Sequence, residues 1–500
     1  MGNSVRALLR AGVVAAAVAG GAGAAHAETL ADALRLAYQT NPTLQAQRAQ
    51  SRYTDETYVQ ARAGYRPQIN GTANAQWSWV KIGTTCTVFA CQNSTNQLYG
   101  QVALTQPIYT GGRATANVRA AEANILAARE ALRQTEGQVM LQVITAYEDV
   151  RRDQQALTIR EENVAVLRRQ VEETRARFEV GEVTRTDVAQ SEAQLAQGQS
   201  DLSASHAQLA ISRAAYAAAV GQSPGTLEAE PPFKIFPDNV DQAFDTALQN
   251  SPQIRSADYN LQAAGAQVAE ARASRMPEIG AQAQFGYYQP ISPLDSSLGV
   301  GTLTAGLTLQ QPIFSGGQVS SQIRQAIERE NYQRVQLEQA RRVATQNVSQ
   351  SWNQLLAARS AIAAQSEQVR AARIAAEGSR AEQQVGLRTT LEVLNAEQVL
   401  RQAELQLVSA RHDEYVASAS VLNVMGLLEG HDLVADIELQ PGSHAIAQLK
   451  HTTGYVPGLE DAVSALDAIG QPKVRKLPPP VDAPITTGQA AEARAAGGHP

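Results

Sequence analysis

Gln106-Pro107-Ile108-Tyr109-Thr110-Gly111-Gly112 returns as Gln311-Pro312-Ile313-Phe314-Ser315-Gly316-Gly317, 205 residues downstream. At the same offset Val180-Gly181 returns as Val385-Gly386, and Val220-Gly221 as Met425-Gly426. Upstream the offset is 210, pairing Pro67 with Pro277 and Pro42 with Pro252. The first copy therefore holds a longer loop between Pro67 and Gln106. Solenoid units run to about 20–50 residues, so this period has another origin. The chain from about Glu28 to Glu429 is a duplicated half-molecule, its repeats spanning 28–225 and 226–430.

Each repeat carries two contrasting periodicities. Four segments alternate with period two, as strands do. In the first, about 67–79, Ile69, Gly71, Ala73, Ala75, Trp77 and Trp79 interleave with Gln68, Asn70, Thr72, Asn74, Gln76 and Ser78. The second spans about 99–109. In the third, about 277–288, Ile279, Ala281, Ala283, Phe285 and Tyr287 alternate with Gln282, Gln284, Gly286 and Tyr288. The fourth, about 303–314, sets Leu303, Ala305, Leu307 and Leu309 against Thr304, Gly306, Thr308 and Gln310. Each is about 11 to 13 residues long, near the length with which a tilted strand crosses a bilayer. One face is apolar and the other polar without charge, which suits lipid outside and water inside a barrel. A soluble sandwich alternates as well, so the strands alone do not decide.

The remainder reads as helix. No proline interrupts Arg113 to Glu179 or Gln318 to Val385, and 67 residues of helix would span roughly 100 Å. Val143, Val150, Leu157, Val164, Val171 and Phe178 fall seven apart, as do Val348, Leu355, Ile362 and Val369. The returning segment repeats the spacing with Val188, Leu195, Leu202, Leu209 and Tyr216. A sustained seven-residue repeat winds helices into a left-handed supercoil. Gly181 and Gly386 sit where a C-cap glycine ends the outgoing helix. Each repeat thus ends in a coiled-coil hairpin. Pro67 and Pro277 open the strand pairs, Pro107 and Pro312 close them, and each Gly pair allows the turn from strand into helix.

Residues 1–27 read as a secretory signal: Arg6 and Arg10, an apolar run from Ala11 to Ala25, then Ala25-His26-Ala27. Cleavage after Ala27 removes two arginines and takes the formal charge from −6 to −8, which gives nucleic acid no attraction. Cys86 and Cys91 are the only cysteines and stand in a polar loop between two strands. In an exported chain they suit a short loop-closing disulfide, with two free thiols as the alternative. The seven histidines show no ligand spacing, so neither a metal nor a cofactor is implied. From 431 to 500 the periodicity ends, and Pro- and Ala-rich composition reads as a largely disordered tail. A weak helix is expected around Leu459 to Ile469.

Signal, duplication, strand pairs and 67-residue helices together resemble the TolC-type outer-membrane efflux protein family, over about Glu28 to Glu429. The most specific matches are the Gln-Pro-Ile-(Tyr/Phe)-(Thr/Ser)-Gly-Gly junctions and the Val-Gly hairpin turns. The resemblance implies a mainly α fold with a membrane β-barrel. A homotrimer would close twelve strands, four per subunit, over an α-helical tunnel. It also implies the outer membrane of a Gram-negative cell, with helices and tail in the periplasm. The implied partners are outer-membrane lipid, a periplasmic adaptor and an inner-membrane ABC or proton-driven transporter. The hairpin tips at Val180, Gly181, Val385 and Gly386 would contact the adaptor. In the matching gate motif Glu392 falls at the first ring acid and Asn395 replaces the second. Arg388 matches a gating arginine, and Thr186 and Asp187 match its partners. Gln383 stands where the family has a gating tyrosine.

The function implied is a passive exit duct for secreted protein or drugs. A trimeric coiled-coil surface adhesin is the alternative, although it would need no strand pair in each repeat. No phosphate-binding loop and no clustered catalytic set supports an enzyme.

Overall fold

The computed structural model describes residues 28–81, 92–233, 235–290, 299–430, 446–452 and 454–469. The signal segment and both cysteines, Cys86 and Cys91, lie outside the described residues. The first repeat begins with α1 (Leu30–Thr40) and α2 (Pro42–Arg62), then a 3₁₀ turn (Ala63–Tyr65). Strands β1 (Gln68–Lys81) and β2 (Gln92–Tyr109) lead into α3 (Arg113–Glu179) and α4 (Arg185–Val220). The second repeat follows the same order: α5 (Val240–Asn250), α6 (Pro252–Ala273), β3 (Glu278–Pro290), β4 (Val300–Gln310), α7 (Gln318–Gln384) and α8 (Thr390–Met425). Two short helices, α9 (Ile446–Lys450) and α10 (Leu459–Asp467), complete the described chain.

The proline punctuation works as backbone chemistry requires. Asn41 caps α2 by accepting from the Thr43 and Leu44 amides at 3.0 and 3.4 Å, while Pro42 fills the first turn. Proline belongs there because that amide has no intrahelical acceptor. Both α3 and α7 run 67 residues, as the absence of proline predicts. Their first-turn junctions use two successive left-handed glycines: Gly111 and Gly112 at φ +66° and +86°, Gly316 and Gly317 at +60° and +86°. At Gly111 a Cβ would also fall 2.4 Å from the Met276 Cβ, so the site is closed to side chains on two counts.

The four strands form one antiparallel sheet in the order β1-β2-β3-β4. Its register carries the alternation across all four strands. Gly71, Val102, Phe285 and Leu303 stand in one row, and Ile69, Leu104, Ala283 and Ala305 in another. On the opposite face Thr72 aligns with Gln101, Gly286 and Thr302. The expected fourth strand is shorter than 303–314 and starts earlier. β4 lies at a sheet edge and ends at Gln310, before Pro312. β2, inside the sheet, passes Pro107 with a register shift and still pairs Tyr109 with Ile279. The register shift places Pro107 at an irregularity of the ladder, one of the places where a paired strand admits a proline.

The seven-residue seams are best buried at the base of the hairpins, stay buried at Val164 and Val171 of α3, and open at the tip. Val143, Val150, Val348 and Leu355 are essentially inaccessible, whereas Ile362 and Val369 are half-buried and Phe178 is exposed. The main core gathers at the base: Met140, Ile144 and Tyr147 of α3, Tyr216 of α4, Leu34 of α1, Leu44 of α2 and Leu422 of α8. Burying each large apolar side chain there contributes about 1.5–3 kcal/mol. A second cluster joins Val348 and Leu355 of α7 to Ala243 and Ala247 of α5.

The tail departs from its expected disorder over residues 446–469. The expected helix is present as α10, and it is fastened by two buried carboxylates. Glu460 accepts from Arg62 and, at 3.0 Å, from Arg66 Nε. Asp467 accepts from the amides of Thr110, Gly112 and Thr115 at 2.6, 3.1 and 3.1 Å, and from both threonine hydroxyls. It therefore caps α3, whose own N-cap residue, a glycine, has no side chain to do so. Val463 joins Tyr58, Tyr65 and Ile125 in a small core. Composition hid this segment because its anchors are single acids whose partners lie over 350 residues away. Replacing Asp467 by Ala leaves three buried amides unpaired, at about 3 kcal/mol. The expected outcome is a lower melting temperature and rapid proteolysis between 446 and 469. Unchanged melting and an intact tail would refute the capping role.

Candidate functional site

The two hairpin tips are built alike, residue for residue at the 205 offset. In the first, Gly181 at φ +81° ends α3, with Gly181 N donating to Phe178 O and Glu182 N to Arg177 O. In the second, Gly386 at φ +79° ends α7, with matching bonds from Gly386 N to Gln383 O and Leu387 N to Glu382 O. Both are Schellman closures, which need a left-handed residue at the turn. Each returning helix then starts with a capping box. The Asp187 amide donates to Thr184 Oγ1 and its carboxylate accepts from the Thr184 amide at 2.8 Å. Glu392 and Thr389 exchange the same pair of bonds, the return bond at 2.9 Å.

The candidate gate residues therefore have structural partners. Asp187 and Glu392 occupy equivalent places and satisfy helix-start amides. Arg388 Nε donates to Glu382 at 2.7 Å, and its Nη1 lies 3.3 Å from Glu392. All three groups belong to one hairpin, and no ion pair joins Arg388 to Asp187 among the described residues of the chain. Hydrogen bonds from the Thr389 amide and hydroxyl, with Arg388 nearby, hold the Glu392 carboxyl below its usual range. Gln383, in the place of the family's tyrosine, is buried and donates to Thr390 Oγ1 at 3.2 Å. It fastens the two legs of its own hairpin. Thr186 and Asn395 are exposed, as are Val180, Val385 and Leu387 at the turns.

Sequence reading missed a second pairing near the tips. Arg175 pairs with Glu192 across the first hairpin and Arg380 with Glu397 across the second. The 205 offset relates the two pairs, so the repeat contained the signal. The threonine-to-acid spacing of both capping boxes was legible too.

Farther down, the two repeats meet at His412 of α8. Its Nε2 lies 3.0 Å from Asp149 of α3, off the line of a good hydrogen bond, and its Nδ1 lies 2.9 Å from Asp413. Arg152 binds Asp149 and Asp153, and Gln208 of α4 reaches Asp153 at 3.4 Å. Burial works against the charged imidazole, yet Asp149 and Asp413 prevail and raise its pKa. A raised folded pKa stabilises fully below the unfolded value, about 6.5, and the gain is lost as pH rises through the folded value. Melting of His412→Gln should thus fall below wild type by a few degrees near pH 5.5 and approach it near pH 8.5. An equal deficit at both values would remove the charge-dependent role.

The sheet is the other functional surface. Its apolar face exposes Ile69, Trp77, Val102, Phe285, Leu303, Leu307 and Leu309 together. Among the described residues the outer edges of β1 and β4 have no strand partner. No described helix is long and apolar enough to cross a membrane, a test that says nothing of strands.

The family described as outer membrane efflux protein matches residues 33–222 and 243–427, one stretch in each repeat. Outer membrane efflux protein BepC of Brucella suis is 36% identical over 422 residues, covering 84% of this chain and 90% of that protein. The alkaline protease secretion protein AprF of Pseudomonas aeruginosa is 26% identical over 414 residues, covering 81% and 85%. The solved structure of VceC from Vibrio cholerae superposes with a TM-score of 0.67 at 22% identity, over 79% of this chain and 96% of that one. That likeness shows the shared fold. By the two matched stretches and the identity to BepC, the chain belongs to the outer membrane efflux protein family.

Proposed function

We propose that the chain is one protomer of a homotrimeric channel-tunnel in the outer membrane of a Gram-negative cell. The carrying observation is the sheet: four strands share a largely apolar face, and among the described residues its two outer edges have no strand partner. Lipid offers no hydrogen bonds, so such edges must pair with other strands, and closed barrels are the form that membranes accept. Three copies supply twelve strands, enough to enclose a passage. The α3–α4 and α7–α8 hairpins extend that passage into the periplasm as a helical tunnel.

The duct is passive and not an enzyme. Between Gln68 and Ser78, Gln282 and Tyr288, and Thr302 and Gln310, the polar face carries no ionised side chain. It forms a wet wall with no fixed charge to trap a solute. Energy comes from an inner-membrane ABC or proton-driven transporter through a periplasmic adaptor. The exposed apolar side chains at Val180, Val385 and Leu387 support adaptor docking at the tips. One relative's name specifies efflux and another protease secretion; the greater identity to BepC favours efflux. The adhesin alternative is not favoured.

The assembly predicts a detergent-stable trimer that conducts ions in a planar bilayer. A monodisperse monomer in mild detergent by light scattering would defeat it.

The gate reading also changes in detail. Arg388 holds the second hairpin's turn closed through Glu382 and Glu392, and threefold symmetry would bring three such turns together. Arg388→Ser should raise single-channel conductance by loosening each turn. Glu392 has two roles, and two substitutions separate them. Glu392→Gln keeps a side chain suited to a capping box, so it should lower cation selectivity with melting near wild type. Glu392→Ala should lower both. Unchanged conductance in the first variant, or an unchanged reversal potential in both others, would count against these assignments.

A further inference from the structure

The helices nearest the sheet follow its order: α2 packs on α3, α3 on α6 and α6 on α7, as β1-β2-β3-β4 run above them. Near the sheet α7 ends this row, without the cover that α3 receives from α6. The duplication shows what such cover would meet. The 205 offset holds at both ends of α3 and α7, and the 210 offset at both Pro42 and Pro67, so each residue has a definite equivalent. On α3, Ala127 is buried with Tyr259 of α6. On α7 the equivalent of Ala127 is Tyr332, 59% exposed, and on α2 the equivalent of Tyr259 is Ala49, exposed as well. Large and small have changed sides. The ion pairs of the α3–α6 seam also change in step. Arg113–Glu278, at 3.0 Å, becomes Gln318 and Gln68, and Glu130–Arg255, at 3.8 Å, becomes Val335 and Gln45. Neither exchange leaves a single charge facing a neutral side chain. At the helix root Met276 packs on Gly111, whereas nothing lies within 4 Å of a Cβ built on Gly316.

Paired changes that conserve volume and cancel charge are what a packed seam demands of the two surfaces that form it. We infer that α2 of a second copy of this chain covers α7, and that Tyr332 over Ala49 is the key distinguishing this seam from the α3–α6 seam. The inference rests on the proposed trimer and adds which helix faces meet and what sorts them. The row α2-α3-α6-α7 then repeats around the ring in the order of the strands. Sorting is steric. Tyr332 against Tyr259 would overfill a seam, and Ala127 against Ala49 would leave a void. A neighbour's α2 is thereby kept from the place of α6 on α3, and a neighbour's α6 from the place of α2 on α7.

A double-mutant cycle tests the key. Tyr332 and Ala49 are exposed in the single chain, so substitutions there leave its own fold intact. Tyr332→Ala opens a void at the seam and Ala49→Tyr overfills it. Each should speed dissociation of the detergent-solubilised trimer roughly tenfold or more. Ala49→Tyr combined with Tyr332→Ala rebuilds the arrangement of Tyr259 and Ala127, and should recover most of the wild-type rate. Additive losses in the double variant would overturn the inference while leaving the trimer standing. A photo-reactive Tyr332→p-benzoylphenylalanine variant, irradiated as the trimer, should join chains through a peptide from α2, residues 42–62. Cross-links between chains at any other segment, or none from a trimer, would overturn it too. A monomeric wild-type protein would instead remove the trimer itself, and this seam with it.

Discussion

Every long-range feature of this chain depends on how a strand is joined to a helix at Gly111-Gly112 and Gly316-Gly317. A strand ends with its amides directed sideways into the sheet, whereas a helix needs its first amides satisfied along its axis. Two consecutive left-handed residues make that change of direction in minimum length. Only glycine takes both positions without strain. With the junction compact, α3 leaves the sheet at a fixed angle and holds it for 67 residues. A small error at the start of a helix that long would move its far end by many ångströms. The cost of imprecision explains why α3 is braced on several sides. Arg113 reaches Glu278 at the foot of β3, Met276 packs on Gly111, and Asp467 caps the first turn.

The hairpins themselves depend on a different balance. Apolar side chains at every seventh position bury well near the base, where α1, α2 and α8 add cover. Toward the tips each hairpin has only its own two legs, where a narrower seam of Val171, Ala376 and Ala403 is joined by ion pairs such as Arg175–Glu192 and Arg380–Glu397. The exposed Arg175–Glu192 pair contributes little stability, typically under 1 kcal/mol, whereas the Glu397 carboxylate of the second pair is buried. The helix caps matter more there, because they act at the ends where fraying begins. Stability is therefore graded along the molecule, high at the junction of the repeats and low at the turns. A graded structure suits a device whose moving part is at one end.

Much of this was legible in the residues. The duplication, both 67-residue helices, the turn glycines and the strand faces follow from periodicity and from proline and glycine positions, which act locally. The end of β4 at Gln310 was not legible, because Gln311-Pro312 repeats the Gln106-Pro107 stretch over which β2 stays paired. The folded tail escaped for another reason. Asp467 is unremarkable until Thr110, Gly112 and Thr115 are beside it, and nothing near residue 467 encodes them. The tip acids were found by resemblance to gate residues, yet their immediate chemistry is capping. Capping is what their geometry shows; the gate role is the proposal made above.

The tail makes the two repeats mechanically unequal. Asp467 braces the first turn of α3, while α7 begins at Gly317 with Ser315 in place of Thr110. Among the described residues no carboxylate reaches its opening amides. Ile313 and Phe314, just before it, are almost fully exposed. In a ring of three chains the six long helices would alternate, one stiffly rooted and the next compliantly rooted. Sequence duplication suggests sixfold behaviour, but the compliance of such a ring has a period of three. Any dilation would pivot on the roots of α7, with α3 serving as the stationary frame.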